Sequence, residues 1–298
     1  MKVFVTGGSG FIGTKVVEQL ISKGHSVVGL ARSDTSAEKL ETAGAKVVRG
    51  ELTDIDVLVD AAKSADGTMH LGFIHDFANI SKSMVLDRQI VTSICEAYKG
   101  TDKFFINTSG TLFLHGPGLN DEDTPIPEVP LLPDMVVRTE TESQLLSYAD
   151  KGFRVISIRC PPTVHGEGDG GFIPIIYGMF KNQGASFYPD SGENVWPAVH
   201  RADAAKLYVL AAEKAPTGSI LHAVAEQGIP IKSIAEAMAK KSGFEAKSVS
   251  KDELKEKLGF FFGFVFASNN YVSSEKTKKI TGWAPTEATL LEDITNNY

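Results

Sequence analysis

Cysteine is scarce in this chain, which removes two ways of holding a fold together. Only Cys95 and Cys160 occur among 298 residues. Their spacing makes neither a metal-ligand set nor a disulfide framework, so no metal is expected and a reducing compartment, the cytoplasm, fits. Long apolar runs are missing too. The longest, Phe260-Phe261-Phe262-Gly263-Phe264-Val265-Phe266, falls far short of the about 18 residues that a membrane span needs. It reads as a core or interface segment, or as a substrate wall. Blocks of Lys or Arg are absent and the net charge is −7, which argues against nucleic acid and anionic membranes as partners. Met1-Lys2 leads straight into an apolar strand, so no signal peptide is expected.

What is present begins with an apolar strand, Lys2-Val3-Phe4-Val5, that runs into Thr6-Gly7-Gly8-Ser9-Gly10-Phe11-Ile12-Gly13 and then a helix over 14–23. Strand, glycine turn and helix in that order are the context of a dinucleotide fingerprint. Gly7 supplies a turn conformation closed to other residues. Gly10 lets the backbone approach a pyrophosphate, and Gly13 lets the helix pack on the strand. The first-turn N–H groups, at Phe11 and Ile12, then face the phosphates.

Alternation of strands and helices continues, which predicts an α/β, Rossmann-like, doubly wound parallel sheet with a smaller C-terminal mixed substrate lobe. The second strand, 26–30, ends in Ala31-Arg32-Ser33. A cation and a hydroxyl there suit a 2′-phosphate, so NADP is favoured over NAD. Asp34 is read as a helix cap. After the third strand, Glu51 is placed to accept from adenine and Leu52 to pack on its ring. Gly72-Phe73, closing the fourth strand, should approach the pyrophosphate and adenosine. His70 within that strand reads as a packed core histidine, whereas His75-Asp76-Phe77 lies in a loop at the crevice. The fifth strand ends in Thr108-Ser109-Gly110-Thr111, where nicotinamide and substrate should meet.

These elements, with the 161–166 segment and Val199-His200-Arg201-Ala202-Asp203, make the chain resemble an extended short-chain dehydrogenase/reductase, the group of sugar-nucleotide epimerases and dehydratases. The resemblance implies that Pro161, Thr163, Val164 and Thr108 border the cofactor. It also implies a Tyr-x-x-x-Lys pair, in which tyrosine moves a proton and lysine holds the ribose, with a Glu four residues after the lysine. Glu142 fits that acid, which puts Arg138 in place of the lysine and Asp134 in place of the tyrosine. Arg138 can still bond ribose hydroxyls and stabilise a developing alkoxide. It cannot relay a proton, and Asp134 beside it is a poor acid near neutrality. Proton donors must be sought among Thr111, His75, Tyr177 and His165. The expected catalytic set is therefore Thr111, Arg138, Asp134 and His75.

Residues 1–165 are expected to form the dinucleotide core and 166–298 mainly a substrate lobe, with about 195–225 returning to the core sheet. Phe187, Tyr188 and Trp196 add aromatic wall to the lobe. The resemblance implies basic residues here that grip a substrate diphosphate; no basic cluster is present, and Arg201 is one candidate, which a cap or salt bridge would explain equally well. The leading expectation is an NADP-dependent oxidoreductase acting on a small uncharged carbonyl or alcohol. A non-catalytic NADP-binding regulatory protein is the alternative, and a sugar-nucleotide epimerase or dehydratase comes third. A homodimer is compatible with each.

Overall fold

Val3, Phe4 and Val5 are fully buried, and alternate side chains feed different cores. Val3 and Val5 join one cluster and Phe4 another, as a strand covered on both faces requires. The computed structural model describes residues 1–298 except Phe77, Ala78, Val129, Pro133 and Asp134. This first strand, β1 (Lys2–Thr6), lies at the centre of a sheet with β2 (Ser26–Ala31), β3 (Lys46–Arg49), β4 (Gly67–His70), β5 (Phe104–Gly110), β6 (Arg154–Cys160) and β10 (Ser219–His222). The seven strands run in the order β10-β6-β5-β4-β1-β2-β3, all parallel. Chain order reverses between β1 and β4, which opens a crevice at their carboxyl ends.

One face of the sheet is covered by α1 (Phe11–Ser22), α2 (Asp34–Thr42) and α7 (Arg201–Lys214), through Val17, Leu40 and Tyr208. The other carries α3 (Ile55–Lys63), α4 (Ile80–Tyr98) and α5 (Val136–Leu146), through Leu58, Ile94 and Leu145. A smaller lobe pairs β7 (Thr163–His165), β9 (Val195–His200) and β11 (Glu226–Pro230) in one sheet, and β8 (Ala185–Pro189) with β12 (Glu245–Val249) in another. Around them pack α6 (Phe172–Gln183), α8 (Ile231–Ser242), α9 (Lys251–Phe266) and α11 (Leu290–Asn297), on a core built over Ile176, Phe180, Trp196 and Phe266. The apolar run of the sequence is the second half of α9, set off by a break at Gly259 (φ 74°). A short helix, α10 (Glu275–Thr281), returns toward β10. No helix among the described residues is long and apolar enough to cross a membrane.

Asp203 does not cap α7 as its sequence position implies. His200 does, accepting from the Ala202 N–H at 3.3 Å. The Asp203 carboxylate instead accepts from the backbone N–H groups of Thr286 and Glu287.

A second buried polar group ties α5 to the sheet. Arg159 forks onto Glu142, with Nη2 to Oε2 at 2.8 Å and Nε to Oε2 at 3.1 Å, and Ser157 donates to the same carboxylate. His222 lies beside them with Nδ1 2.8 Å from the Ser273 carbonyl, so that nitrogen carries the hydrogen. Its Nε2 must therefore accept from Arg159 Nη1 at 3.4 Å. The ring is held neutral, and burial pushes its pKa below 6.5, with the Arg159 charge adding to the effect.

A histidine whose folded pKa is depressed binds its proton more readily unfolded, so it contributes stability above its unfolded value and loses it on acidification. Denaturant unfolding should give a lower stability at pH 5.5 than at pH 7.5, by at most about 1.4 kcal/mol from this ring. His222→Asn, which keeps a donor toward Ser273, should make the pH dependence shallower. An unchanged slope in that variant would contradict the assignment.

Candidate functional site

The glycine turn after β1 is close-packed backbone. Gly7 has φ 68°, and a Cβ there would lie 2.7 Å from the Gly72 nitrogen. At Gly13 a Cβ would fall 2.0 Å from the Gly7 carbonyl oxygen, so α1 rests directly on the turn. Gly10 donates to that carbonyl at 2.9 Å and heads α1 without any side-chain cap. The first-turn N–H groups are thus uncovered, which fits a phosphate group there. Ile12 packs into the core beneath α1, while the Phe11 ring lies 5.1 Å from the guanidinium of Arg201. Across the crevice, a Cβ on Gly72 would meet Leu52 Cδ2 at 2.9 Å, so these two residues face each other at the ends of β3 and β4. Glu51 is exposed, and its N–H donates to Asp54 at 2.8 Å.

A chain of side chains leads inward from the turn. Thr6 Oγ1 accepts from the Gly72 N–H at 3.1 Å and lies 2.7 Å from His70 Nδ1. His70 Nε2 is 3.2 Å from Asp87 Oδ1, and Asp87 Oδ2 is 3.6 Å from Arg138 Nη1. Arg138 Nη2 donates to the Thr108 carbonyl at 2.9 Å. The Thr108 hydroxyl donates to the His70 carbonyl at 2.8 Å and lies 2.8 Å from Tyr208 OH. Burial alone would raise the Asp87 pKa, but the Arg138 charge and the His70 contact outweigh it and hold the carboxyl below its ordinary range. Arg138 Nη1, Asp87 Oδ2 and Ser109 Oγ are buried without a hydrogen-bond partner. They give the carboxyl end of β5 unused polar capacity, which fits the ribose end of a dinucleotide.

Arg138 also stacks on Phe73, with its guanidinium carbon 4.3 Å from the ring centroid. His75 meets the same ring edge-on at 5.1 Å. The fold therefore brings Gly72, Phe73, His75, Thr108 and Arg138 together. Thr111 stands apart, fully buried, with its hydroxyl donated to Asn270 at 2.8 Å. Asp134 lies outside the described residues. Pro161 is buried, Thr163 donates to the Pro197 carbonyl, and Val164 packs against the core beneath α1 and α7. Tyr177 is buried with its hydroxyl 2.6 Å from that of Ser242. Tyr177 and Lys181 do have the Tyr-x-x-x-Lys spacing, but on α6, where Lys181 Nζ lies over the tyrosine ring. His165 is buried with Nδ1 2.5 Å from Asp293.

Sequence reasoning missed Asp87, Tyr208 and Asn270. A signal existed for Asp87: it interrupts the buried stripe Ser83, Met84, Ile90, Val91 and Ile94 of α4. Gly13→Ala should destabilise the chain by about 1–3 kcal/mol through overpacking and abolish dinucleotide binding. Denaturation and calorimetry check this, and a fully stable variant that still binds would remove the turn from the site.

Similarities to known proteins can now be set beside this geometry. The "Uncharacterized protein YLL056C" of Saccharomyces cerevisiae is 44% identical over 300 residues, covering 100% of this chain and 99% of that protein. Among solved structures, MoeE5 in complex with UDP-glucuronic acid and NAD matches at a TM-score of 0.75 with 20% identity, covering 100% of this chain and 97% of that one. The dTDP-glucose 4,6-dehydratase DesIV from Streptomyces venezuelae, with NAD bound, matches at 0.77 with 17% identity, covering 100% and 95%. Both structures hold NAD, which corrects the expectation of NADP. The NADP-dependent oxidoreductase and the NADP-binding regulatory protein expected from Arg32 and Ser33 fall with it.

The local reason for the error is visible after β2. Ser33, not Asp34, caps α2: its hydroxyl accepts from the Ser36 N–H at 3.2 Å and is already in use. Asp34 heads the helix, with its exposed carboxylate 2.5 Å from Arg49, and leaves an acid beyond the strand end. The family model described as the NAD dependent epimerase/dehydratase family matches residues 3–223, and with this match the chain belongs to that family.

Proposed function

We propose that the chain is an NAD-dependent oxidoreductase of the epimerase/dehydratase type, acting on a carbonyl or hydroxyl group of a small molecule, sugars included. The observation that carries this reading is the Arg138 guanidinium, held at the carboxyl end of β5 by the Thr108 carbonyl and facing Asp87 with a nitrogen that makes no hydrogen bond. Residues 1–165 would carry the dinucleotide and 166–298 mainly the substrate. Gly7, Gly10, Phe11, Ile12 and Gly13 would hold its phosphates, Leu52 and Gly72 its adenosine, and Thr108 and Arg138 its nicotinamide ribose. Bound there, NAD supplies a hydride acceptor, and NADH a donor.

The chain's own residues do the rest. Arg138 is positively charged at any working pH and stabilises negative charge on a substrate oxygen. His75 is the nearby group that can hold a proton. Desolvation and then the Arg138 charge lower its pKa, so it is neutral at pH 7 and suited to accept a proton from a substrate hydroxyl. In the lobe, Phe172 lies edge-on to Phe261 at 6.0 Å and to Phe262 at 5.7 Å, an apolar surface for the part of the substrate that does not react.

Calorimetry should find NAD bound to the purified protein, and a panel of carbonyl compounds and sugar nucleotides should yield NADH turnover. Arg138→Met should lower kcat by about 10²–10³-fold, with Arg138→Lys recovering part of it. Failure of the wild type to bind NAD, or full activity in Arg138→Met, would defeat the reading. In the oxidation direction the rate should hold as pH falls through 6.5, the ordinary histidine value, and drop only below it. A profile unchanged in His75→Gln would exclude that ring as the proton acceptor.

A further inference from the structure

We infer that Arg201 is a pyrophosphate-binding residue, closing on the dinucleotide from α7 opposite the glycine turn. This rests on the dinucleotide reading above. Helices α1 and α7 run side by side in the same direction. The Arg201 side chain, from the first residue of α7, lies over Phe11, the first residue of α1; Gln19 donates to the Ala202 carbonyl at 2.9 Å, and Lys23 pairs with Glu213 at 3.1 Å. Phe11 is the first residue of α1, so its ring brings Arg201 to the uncapped amino end of that helix.

Both ordinary explanations of Arg201 fail. The cap of α7 is His200. An ion pair is missing as well: among the described residues Arg201 has no hydrogen bond or salt bridge, and its charge meets only the Phe11 ring. The carboxylate nearest in sequence, Asp203, is taken by Thr286 and Glu287. Arg201 is half-buried, and its guanidinium has five N–H donors left for an anion. The ring contact uses none of the guanidinium N–H groups.

The adjoining loop keeps clear of it. A Cβ on Gly166 would sit 3.2 Å from Arg201 Cγ, and one on Gly168 would sit 3.9 Å from Nη1. Both glycines have positive φ, 132° and 81°, so the chain passes the arginine with bare backbone. A pyrophosphate offers paired anionic oxygens to the fork of a guanidinium. The same chemistry occurs in a dinucleotide and in a sugar nucleotide. The position beside Phe11 favours the dinucleotide.

Titration calorimetry with NAD and, separately, with UDP-glucose distinguishes the two sources, using wild type, Arg201→Gln and Arg201→Lys. We expect Arg201→Gln to weaken NAD binding about 10-fold or more, the scale of a charge-assisted hydrogen bond. Arg201→Lys should recover part of the loss, and the salt dependence of NAD affinity should be shallower in Arg201→Gln than in wild type. Thermal melting checks that each variant is folded, and the lysine variant and salt series decide the matter if Arg201→Gln is not. NAD affinity within twofold of wild type in Arg201→Gln overturns the inference, as does a loss confined to UDP-glucose. A wild type that binds no NAD instead defeats the dinucleotide reading beneath it.

Discussion

The geometry of the crevice depends on a contact that involves no side chain: Gly13 against the Gly7 carbonyl. Any larger residue at position 13 would lift α1 off the turn. With the helix seated, its uncovered N–H groups point into the crevice, and Gly7 lies against the Gly72 backbone. The ends of β1 and β4 are thereby locked together. Thr6 uses that closeness to bond both Gly72 and His70. From His70 the connection passes through Asp87 to Arg138, so the placement of a cation on α5 traces back to a missing methyl group on α1.

The side of the sheet under α4 and α5 is unusually polar for an interior. Two buried carboxylates, Asp87 and Glu142, each face an arginine there. Burying such charges costs desolvation, and the pairing offsets it only when geometry is well fixed. Glu142 meets that condition through a two-pronged contact with Arg159. Asp87 meets it less fully, since one of its oxygens faces an Arg138 nitrogen at 3.6 Å and neither atom makes a hydrogen bond. This difference separates a structural clamp from a group with capacity left for a ligand. Arginine suits position 138 better than a lysine would. Its planar fork bonds the Thr108 carbonyl with one nitrogen and presents another to Asp87, a division of labour that a single ammonium lacks.

Local chemistry made the first strand, the glycine turn and α1 legible in the sequence, because the strand, the three glycines and the helix follow one another within the first 22 positions. The parallel sheet was legible for a similar reason: its strands are apolar runs between helices. The polar strands β11 and β12 were not, since Glu226-Gln227-Gly228-Ile229-Pro230 and Glu245-Ala246-Lys247-Ser248-Val249 carry little hydrophobic signal and pair only through tertiary contacts. The amino end of α4, Ile80-Ser81-Lys82-Ser83, was hidden in the same way. Within the candidate site, Gly72 and Arg138 were named from their position along the chain. The partners Asp87 and Asn270 were not, because each meets its group across a long sequence separation. Ser33 and Asp34 show a subtler failure: adjacent residues both suited to capping, of which only the backbone decides the user.

Trp283 carries a consequence for how the chain is made. Its indole is buried in the same cluster as Val3, Val17 and Leu207, and its ring nitrogen donates to the Asp203 carbonyl at 2.8 Å. The core beneath α1 and α7 is therefore completed by a residue that lies sixty positions beyond the last strand of the main sheet. During synthesis from the amino end, the strands of the main sheet emerge long before the ring that closes their core. Those strands wait on the ribosome with an open apolar slot, and their final consolidation is coupled to the arrival of the far end of the chain. The two halves are thus not independent folding modules, despite their separate sheets.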